Sequence, residues 1–376
     1  MALVLNEEQR LLKDSAGDFL SADAPIDSFR QLRDAGNPQG YDKGLWQKII
    51  EMGWPGIAID EAYDGLGFGF QGLGVIFEQA GHRLLASPMF ATMVLGASAI
   101  ELAGNNEQKQ AYLPRIASGE VTLAFALEEQ VHHAPTAIET IATSTDQGFL
   151  ITGKKTFVLD ANNAHTFIVV ARVDDQKDNF GLFMVDANVP GVNVVSTQMM
   201  DARDTANVTL NDVVVSREAL LGGCPISQDV MDVILDRGRI LLSAEMLGNC
   251  LEAFNRTMDY LKEREQFGVK IGSFQALKHR ASQMFIGLEM AKSLVLKALT
   301  ALDEHSDDVS LLASLTKAKL NALAKQVTDE ATQMHGGMGV TDELDIGLIM
   351  KRVRVATQIL GDSYFHQNRY AVLRGY

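Results

Sequence analysis

Arg264-Glu265-Gln266-Phe267-Gly268, then Gln275-Ala276-Leu277-Lys278-His279, then Gln333-Met334-His335-Gly336-Gly337-Met338-Gly339 are the stretches around which the rest of the chain is organised. Arg264 carries a planar guanidinium fork that suits a phosphate. Gln266, Gln275 and Gln333 carry amides that suit a base or a ribose, and Phe267 offers a stacking face. Gly336 and Gly337 follow a long amphipathic segment and lack a Cβ, so a ligand can approach the backbone closely. This set suits a dinucleotide or another phosphate-bearing ligand. It equally suits a surface loop followed by a helix that ends in glycine, and residue types alone leave both readings open.

Spacing adds information that residue types lack. Arg-x-Gln-Phe-Gly-x-x-Ile-Gly-x-Phe-Gln runs from Arg264 to Gln275, and Gln-Met-His-Gly-Gly-x-Gly runs from Gln333 to Gly339. With two long motifs in this order, the chain resembles the acyl-CoA dehydrogenase family, FAD enzymes that desaturate acyl-CoA thioesters between the α and β carbons. The resemblance covers essentially the whole chain. It implies a mainly α fold with a central β domain: an N-terminal helical domain over residues 1–119, an antiparallel β-barrel over 120–225 and a C-terminal four-helix bundle over 226–376.

The apolar period gives the same order of segments without the resemblance. Asn6 reads as a helix cap with Gln9 as its reciprocal partner, and Gly44 to Met52 and Leu73 to Leu85 continue the helical pattern. Glu61 to Gly67 reads as a tight exposed turn. From Val121 to about Val215 the pattern becomes β-rich: Thr140 to Thr145 and Phe149 to Thr152 flank Asp146-Gln147-Gly148 as a hairpin, and Thr166 to Val173, Phe180 to Val185, Val192 to Ser196 and Val208 to Val215 read as strands. Val230 to Glu263, Ser273 to Glu304, Val309 to Met334 and Leu348 to Tyr370 read as four long amphipathic helices.

Composition narrows the function classes. The 376 residues hold 33 Lys plus Arg against 48 Asp plus Glu, a formal net charge of -15, which argues against nucleic acid or an anionic membrane as partner. No run of about 18 apolar residues occurs, and Met1-Ala2-Leu3-Val4-Leu5-Asn6 lacks the basic start of a signal peptide. The expectation is a cytoplasmic protein. Cys224 and Cys250 are too few and too far apart for a zinc motif or a disulfide framework, and read as inert thiols.

Desaturation beside a thioester needs a base for the α proton, a hydride acceptor and donors to the carbonyl. The resemblance implies a glutamate base at one of two places, and this sequence has Leu360 at one and Gly238 at the other. Neither can take a proton. Asp362 and Asp236 are the nearest acids, read here as a helix-end charge and a solvated or arginine-paired surface acid. The segment that resembles the family's Thr-Glu-Pro-x-Ala-Gly-Ser-Asp is Leu127 to Thr136, without its glycine and serine, and Leu159 replaces a hydroxyl expected to bond the flavin. His132 and His133 read as solvated loop residues, since no third metal ligand has the right spacing.

The resemblance implies an FAD shared across a subunit interface, with Arg264, Gln266, Phe267, Gln275, Gln333, Gly336 and Gly337 holding the ADP half of a cofactor bound mainly by another subunit. It implies a paralogous, glutamate-bearing partner in an α2β2 assembly like those of steroid side-chain degradation, an acyl-CoA substrate, and an electron-transferring flavoprotein as acceptor. No catalytic residue and no metal ligand is assigned in this chain. A self-sufficient homomeric flavoenzyme with an unconventional base and a cofactor-free scaffold are the alternatives.

Overall fold

A computed structural model of the chain describes residues 4–36, 40–176 and 179–376. Met1 to Leu3, part of the start read above, lie outside the described residues. Helices α1 (Glu7–Asp23), α2 (Ile26–Asp34), α3 (Lys43–Glu51), α4 (Gly69–His82), α5 (Ala97–Ala103) and α6 (Asn106–Ala117) come first. Strands β1 (Leu123–Ala126), β2 (Ile141–Thr145), β3 (Gly148–Leu159), β4 (Thr166–Val173), β5 (Phe180–Asp186), β6 (Val192–Ser196) and β7 (Thr205–Val215) follow. Helix α7 (Gln228–Glu263) leads into the short strands β8 (Glu265–Gln266) and β9 (Val269–Lys270), then α8 (Gln275–Asp303), α9 (Val309–His335), α10 (Ile346–Ala356) and α11 (Ser363–Leu373). The expected mainly α fold with a central β region is what forms.

Two compact units emerge, each drawn from separated segments. The first holds the described residues up to Arg30, Phe70–Leu85 and Arg239–Tyr376; the second holds those of Gln31–Gly69 and Ala86–Gly238.

The first unit is helical. Its opening helix starts where the sequence places it: Asn6 Oδ1 accepts from Gln9 N–H at 2.8 Å and Gln9 Oε1 from Asn6 N–H at 3.0 Å, a reciprocal cap that contributes about 1 kcal/mol. Two glycines let α4 and α7 approach backbone to backbone. A Cβ on Gly81 would sit 2.1 Å from the Glu245 carbonyl oxygen, and one on Gly248 would sit 1.9 Å from that of Glu78. Helix α9 buries Leu312, Thr316, Leu320, Ala324, Val327, Ala331 and Met334 at helical period.

The fourth long helix expected from Leu348 to Tyr370 is a correction. It is two helices, α10 and α11, separated by a turn in which Leu360 and Gly361 take φ of 56° and 114°. Asp362 restarts the chain as the N-cap of α11, its Oδ1 accepting from Phe365 N–H at 2.8 Å. Positive φ cannot continue a right-handed helix, and an aspartate cap begins a new one.

The second unit carries the sheet, ordered β1-β4-β2-β3-β7-β6 with β5 on the other edge of β4. The expected hairpin is present: Thr145 pairs with Gly148 across Asp146-Gln147. One detail differs from an all-antiparallel barrel. Strands β1 and β2 both run parallel to β4, because long connections, unlike hairpins, allow parallel neighbours. Its core is apolar, with Ile151, Phe167, Val169, Phe183, Leu210 and Val213 fully buried; each such side chain stabilises by about 1.5–3 kcal/mol.

Candidate functional site

The three motif stretches meet at one place in the helical unit. Helix α7 ends at Glu263, and Tyr260, one turn before Arg264, stacks on His335 at the end of α9 with ring centroids 4.4 Å apart. From α8, Arg280 Nε reaches Glu330 Oε2 on α9 at 2.5 Å. These contacts bring Arg264, Gln275 and the Gln333 to Gly337 segment together. Between α7 and α8, β8 and β9 form a hairpin whose two central residues, Phe267 and Gly268, have φ of 55° and 77°. A two-residue loop with both φ positive matches strand twist, but costs an aromatic residue backbone strain. Phe267 is nonetheless 90% exposed, touching Phe274 edge-on at 6.2 Å.

What these groups lack is a partner. The side chains of Arg264, Gln275 and Gln333 are exposed and make no hydrogen bond or ion pair among the described residues. Gln266 is the exception, its amide turned back to the Glu265 carbonyl at 2.8 Å. At Gly336, φ 61° and ψ -140° are open to glycine alone, and a Cβ on Gly336 or Gly337 would meet nothing within 4 Å. Helix α8 begins without a side-chain cap, so its first N–H groups stay available to an anion. Lys270 across the hairpin holds the Glu265 carboxyl below its usual range by a hydrogen bond and its charge. Burial, with a push from Arg256, keeps the His335 imidazole below its ordinary value despite its bond to the Ala331 carbonyl. Exposed Phe274, Phe285, Ile286 and Met290 extend the surface along α8, the kind of apolar patch that marks an interaction face.

The turn at Leu360 is the opposite case. Leu360 is 6% exposed. Its carbonyl accepts from Arg239 Nε at 3.3 Å and lies 3.0 Å from His366 Nε2. The Arg239 guanidinium also sits 5.4 Å from the Phe365 ring centroid. Gly238 is buried within α7. Asp236 is fully buried too, which corrects its reading as a solvated or surface acid; polarity alone does not tell which face of a long helix is enclosed.

In the sheet unit, Glu129 organises the loop from Leu127 to Thr140. It accepts from Glu139 N–H, from Thr140 N–H and hydroxyl, and from Lys155 Nζ. Burial would raise its carboxyl, but Lys155 and these donors outweigh burial and hold it low. Burial depresses the Lys155 amine to about 8, against the pull of Glu129. Leu159 lies at the end of β3, opposite Thr205, and Phe157 is at φ 53° beside a bulge. His132 is exposed as expected. His133 is a correction: its side chain is 3% exposed and meets Glu128 Oε1 at 2.5 Å, because the loop folds back over it. No group of three metal-ligating side chains occurs among the described residues. Cys250 is buried, its thiol pushed up to about 12, while Cys224 is exposed.

Family profiles match the chain in three consecutive blocks: acyl-CoA dehydrogenase N-terminal domain at residues 6–120, middle domain at 124–213 and C-terminal domain at 228–371. The chain belongs to the acyl-CoA dehydrogenase family. Acyl-CoA dehydrogenase FadE12 of Mycobacterium tuberculosis is 30% identical over 323 residues, 83% of this chain and 82% of that protein. The ChsE4-ChsE5 complex of Mycobacterium tuberculosis contains a chain that superposes with a TM-score of 0.89 at 25% identity, covering 100% of this chain and 99% of that one. Butyryl-CoA dehydrogenase of Megasphaera elsdenii shares the fold, with a TM-score of 0.93 at 24% identity over 100% of both chains.

For an acyl-CoA dehydrogenase, the two regions suit FAD unequally. The unpartnered fork of Arg264, the free amides of Gln275 and Gln333 and the open backbone at Gly336 and Gly337 suit a phosphate-bearing adenine dinucleotide. At residue 159 the sheet unit presents a leucine side chain, which offers no hydrogen bond. Tyr260 and Arg280, which brace the motif stretches, do not stand out in the sequence. Lys317, buried on α9, has a legible signal, a cation on that helix's apolar stripe.

Proposed function

We propose that this chain is a non-catalytic subunit of a heteromeric, FAD-dependent acyl-CoA dehydrogenase. It holds the ADP half of an FAD whose remainder lies in a glutamate-bearing paralogous partner, in a cytoplasmic α2β2 assembly. The proposal keeps the domain limits 1–119, 120–225 and 226–376. When bound, the FAD supplies hydride acceptance. Arg264 would pair with its pyrophosphate, Gln275 and Gln333 with its adenosine half, and Gly336 and Gly337 would let it approach the backbone. The observation that carries the reading is the buried Leu360 in a turn whose carbonyls are met by the chain's own donors, with Gly238 at the second position implied for a base. Asp362 is engaged as the cap of α11, which disfavours it as a substitute. The relative that supports a two-subunit form is the ChsE4-ChsE5 complex; a steroid side-chain thioester as substrate, and an electron-transferring flavoprotein as acceptor, belong to the same proposal.

The test is turnover. The chain reconstituted alone with FAD, offered acyl-CoA thioesters including steroid side-chain thioesters and an artificial electron acceptor, should run at least about a hundredfold below the partnered assembly, the lower bound of general-base catalysis. Robust turnover by the chain alone, lost in Asp362→Asn or His132→Ala, would replace this reading with a self-sufficient enzyme.

A further inference from the structure

Lys317 lies on the buried face of α9 with no exposed surface. Its Nζ donates to Asn321 Oδ1 at 2.8 Å, to the Ala356 carbonyl at 3.0 Å and to the Gly361 carbonyl at 3.2 Å. Three oxygen acceptors around one nitrogen need three N–H bonds, which the ammonium has. A neutral amine has two, and would turn a lone pair on the third oxygen. The turn so held contains Leu360 and Gly361, both at positive φ. Such a backbone persists at leucine only where its surroundings over-determine it. Asn321 Nδ2, at 3.4 Å from the Gly361 carbonyl, adds to the same grip.

We infer that Lys317, as an ammonium, is the latch that fixes the turn between α10 and α11, and that loss of its proton as pH rises releases this turn while the helical unit stays folded. The inference is independent of the proposed function. The charged and titratable groups around the latch are Arg239 from α7, Arg352 from α10 with its partner Glu245, Asp362 at the cap of α11, and His366 at the Leu360 carbonyl. Burial pushes the amine well below its ordinary 10.5; Arg239 and Arg352 push the same way and Asp362 opposes them. Between that lowered value and 10.5 the unfolded chain holds the extra proton, so this group's effect on global stability improves as pH rises. The released turn leaves the amine beside Arg239 and Arg352 but withdraws the Ala356 and Gly361 carbonyls, so it binds the proton less tightly than the closed turn, and rising pH favours local release while it favours the global fold.

Hydrogen–deuterium exchange of the full chain, from mildly acidic to alkaline pH and corrected for intrinsic exchange, reads the latch directly. The amides of Gln358, Ile359 and Gly361 bond to carbonyls inside the turn region, and their protection should fall by about tenfold as pH rises, while peptides of α8 keep theirs. Lys317→Met should leave the turn weakly protected at every pH, with no step. Asn321→Ala, which leaves two oxygens for the two N–H bonds of a neutral amine, should shrink the step, and keeps the test open where Lys317→Met does not fold. Constant protection in the unaltered chain, or an undiminished step in either variant, overturns the inference.

Discussion

Two regions of one helical unit treat their polar groups in opposite ways. Around Leu360, the carbonyls of Ala356, Leu360 and Gly361 are met by buried side chains from three helices. At the other region, the side chains of Arg264, Gln275 and Gln333 are exposed and make no hydrogen bond or ion pair among the described residues. Buried polar groups must be paired within the fold, since each orphan costs about 1–3 kcal/mol, whereas exposed ones are paired by water at no such cost. The difference teaches where each region's chemistry is completed. The Leu360 turn is finished by the fold itself, and the motif surface leaves its polar groups to water or, on the proposed function, to a cofactor.

The largest effect expected on the closed region comes from its buried ion pair. Arg352 donates to both carboxylate oxygens of Glu245 at 2.7 and 2.9 Å. Glu245→Ala removes both of these carboxylate contacts from buried Arg352, and should cost about 3–5 kcal/mol of stability by urea unfolding. A loss below about 1 kcal/mol would mean that water reaches this region and that the contrast is overdrawn.

The open region should respond in function and not in stability. Arg264→Ala should leave the urea midpoint within about 0.5 kcal/mol of the starting chain. The same variant should lower FAD occupancy of the partnered assembly by at least tenfold, as expected for a charged hydrogen bond of about 1.5–3 kcal/mol. Unchanged flavin content in that variant would remove Arg264 from the proposed site. Phe267→Gly sharpens the comparison by a smaller amount. Glycine relieves the backbone strain at φ 55°, so the chain should unfold no earlier, and by up to about 1 kcal/mol later. Retention of the partner on a sizing column should nevertheless weaken, because the exposed ring is lost.

Much of this contrast is legible in the amino-acid sequence itself. Apolar period places α7, α8 and α9 within a few residues, and the Asn6 to Gln9 cap marks the start of α1, because both signals are local. The proposed ligand-binding set is drawn from residue types and their order, which phosphate-binding chemistry constrains. What escapes is set by enclosure. Ile359-Leu360 continues the apolar pattern of α10, so the break there is hidden although Gly361-Asp362 carries a turn signal. Asp236 and His133 read as exposed because polarity is the only cue a sequence offers, and burial depends on neighbours brought from elsewhere in the chain. The parallel pairing of β1 and β2 with β4 is likewise a consequence of long connections that strand patterns do not encode.

The most direct measurement is the flavin content of the purified chain, read by its visible absorbance, alone and after co-expression with a glutamate-bearing paralogue. The account predicts a colourless chain alone and a yellow, co-purifying complex with the partner. A chain that is yellow alone, with one FAD per subunit, would contradict it.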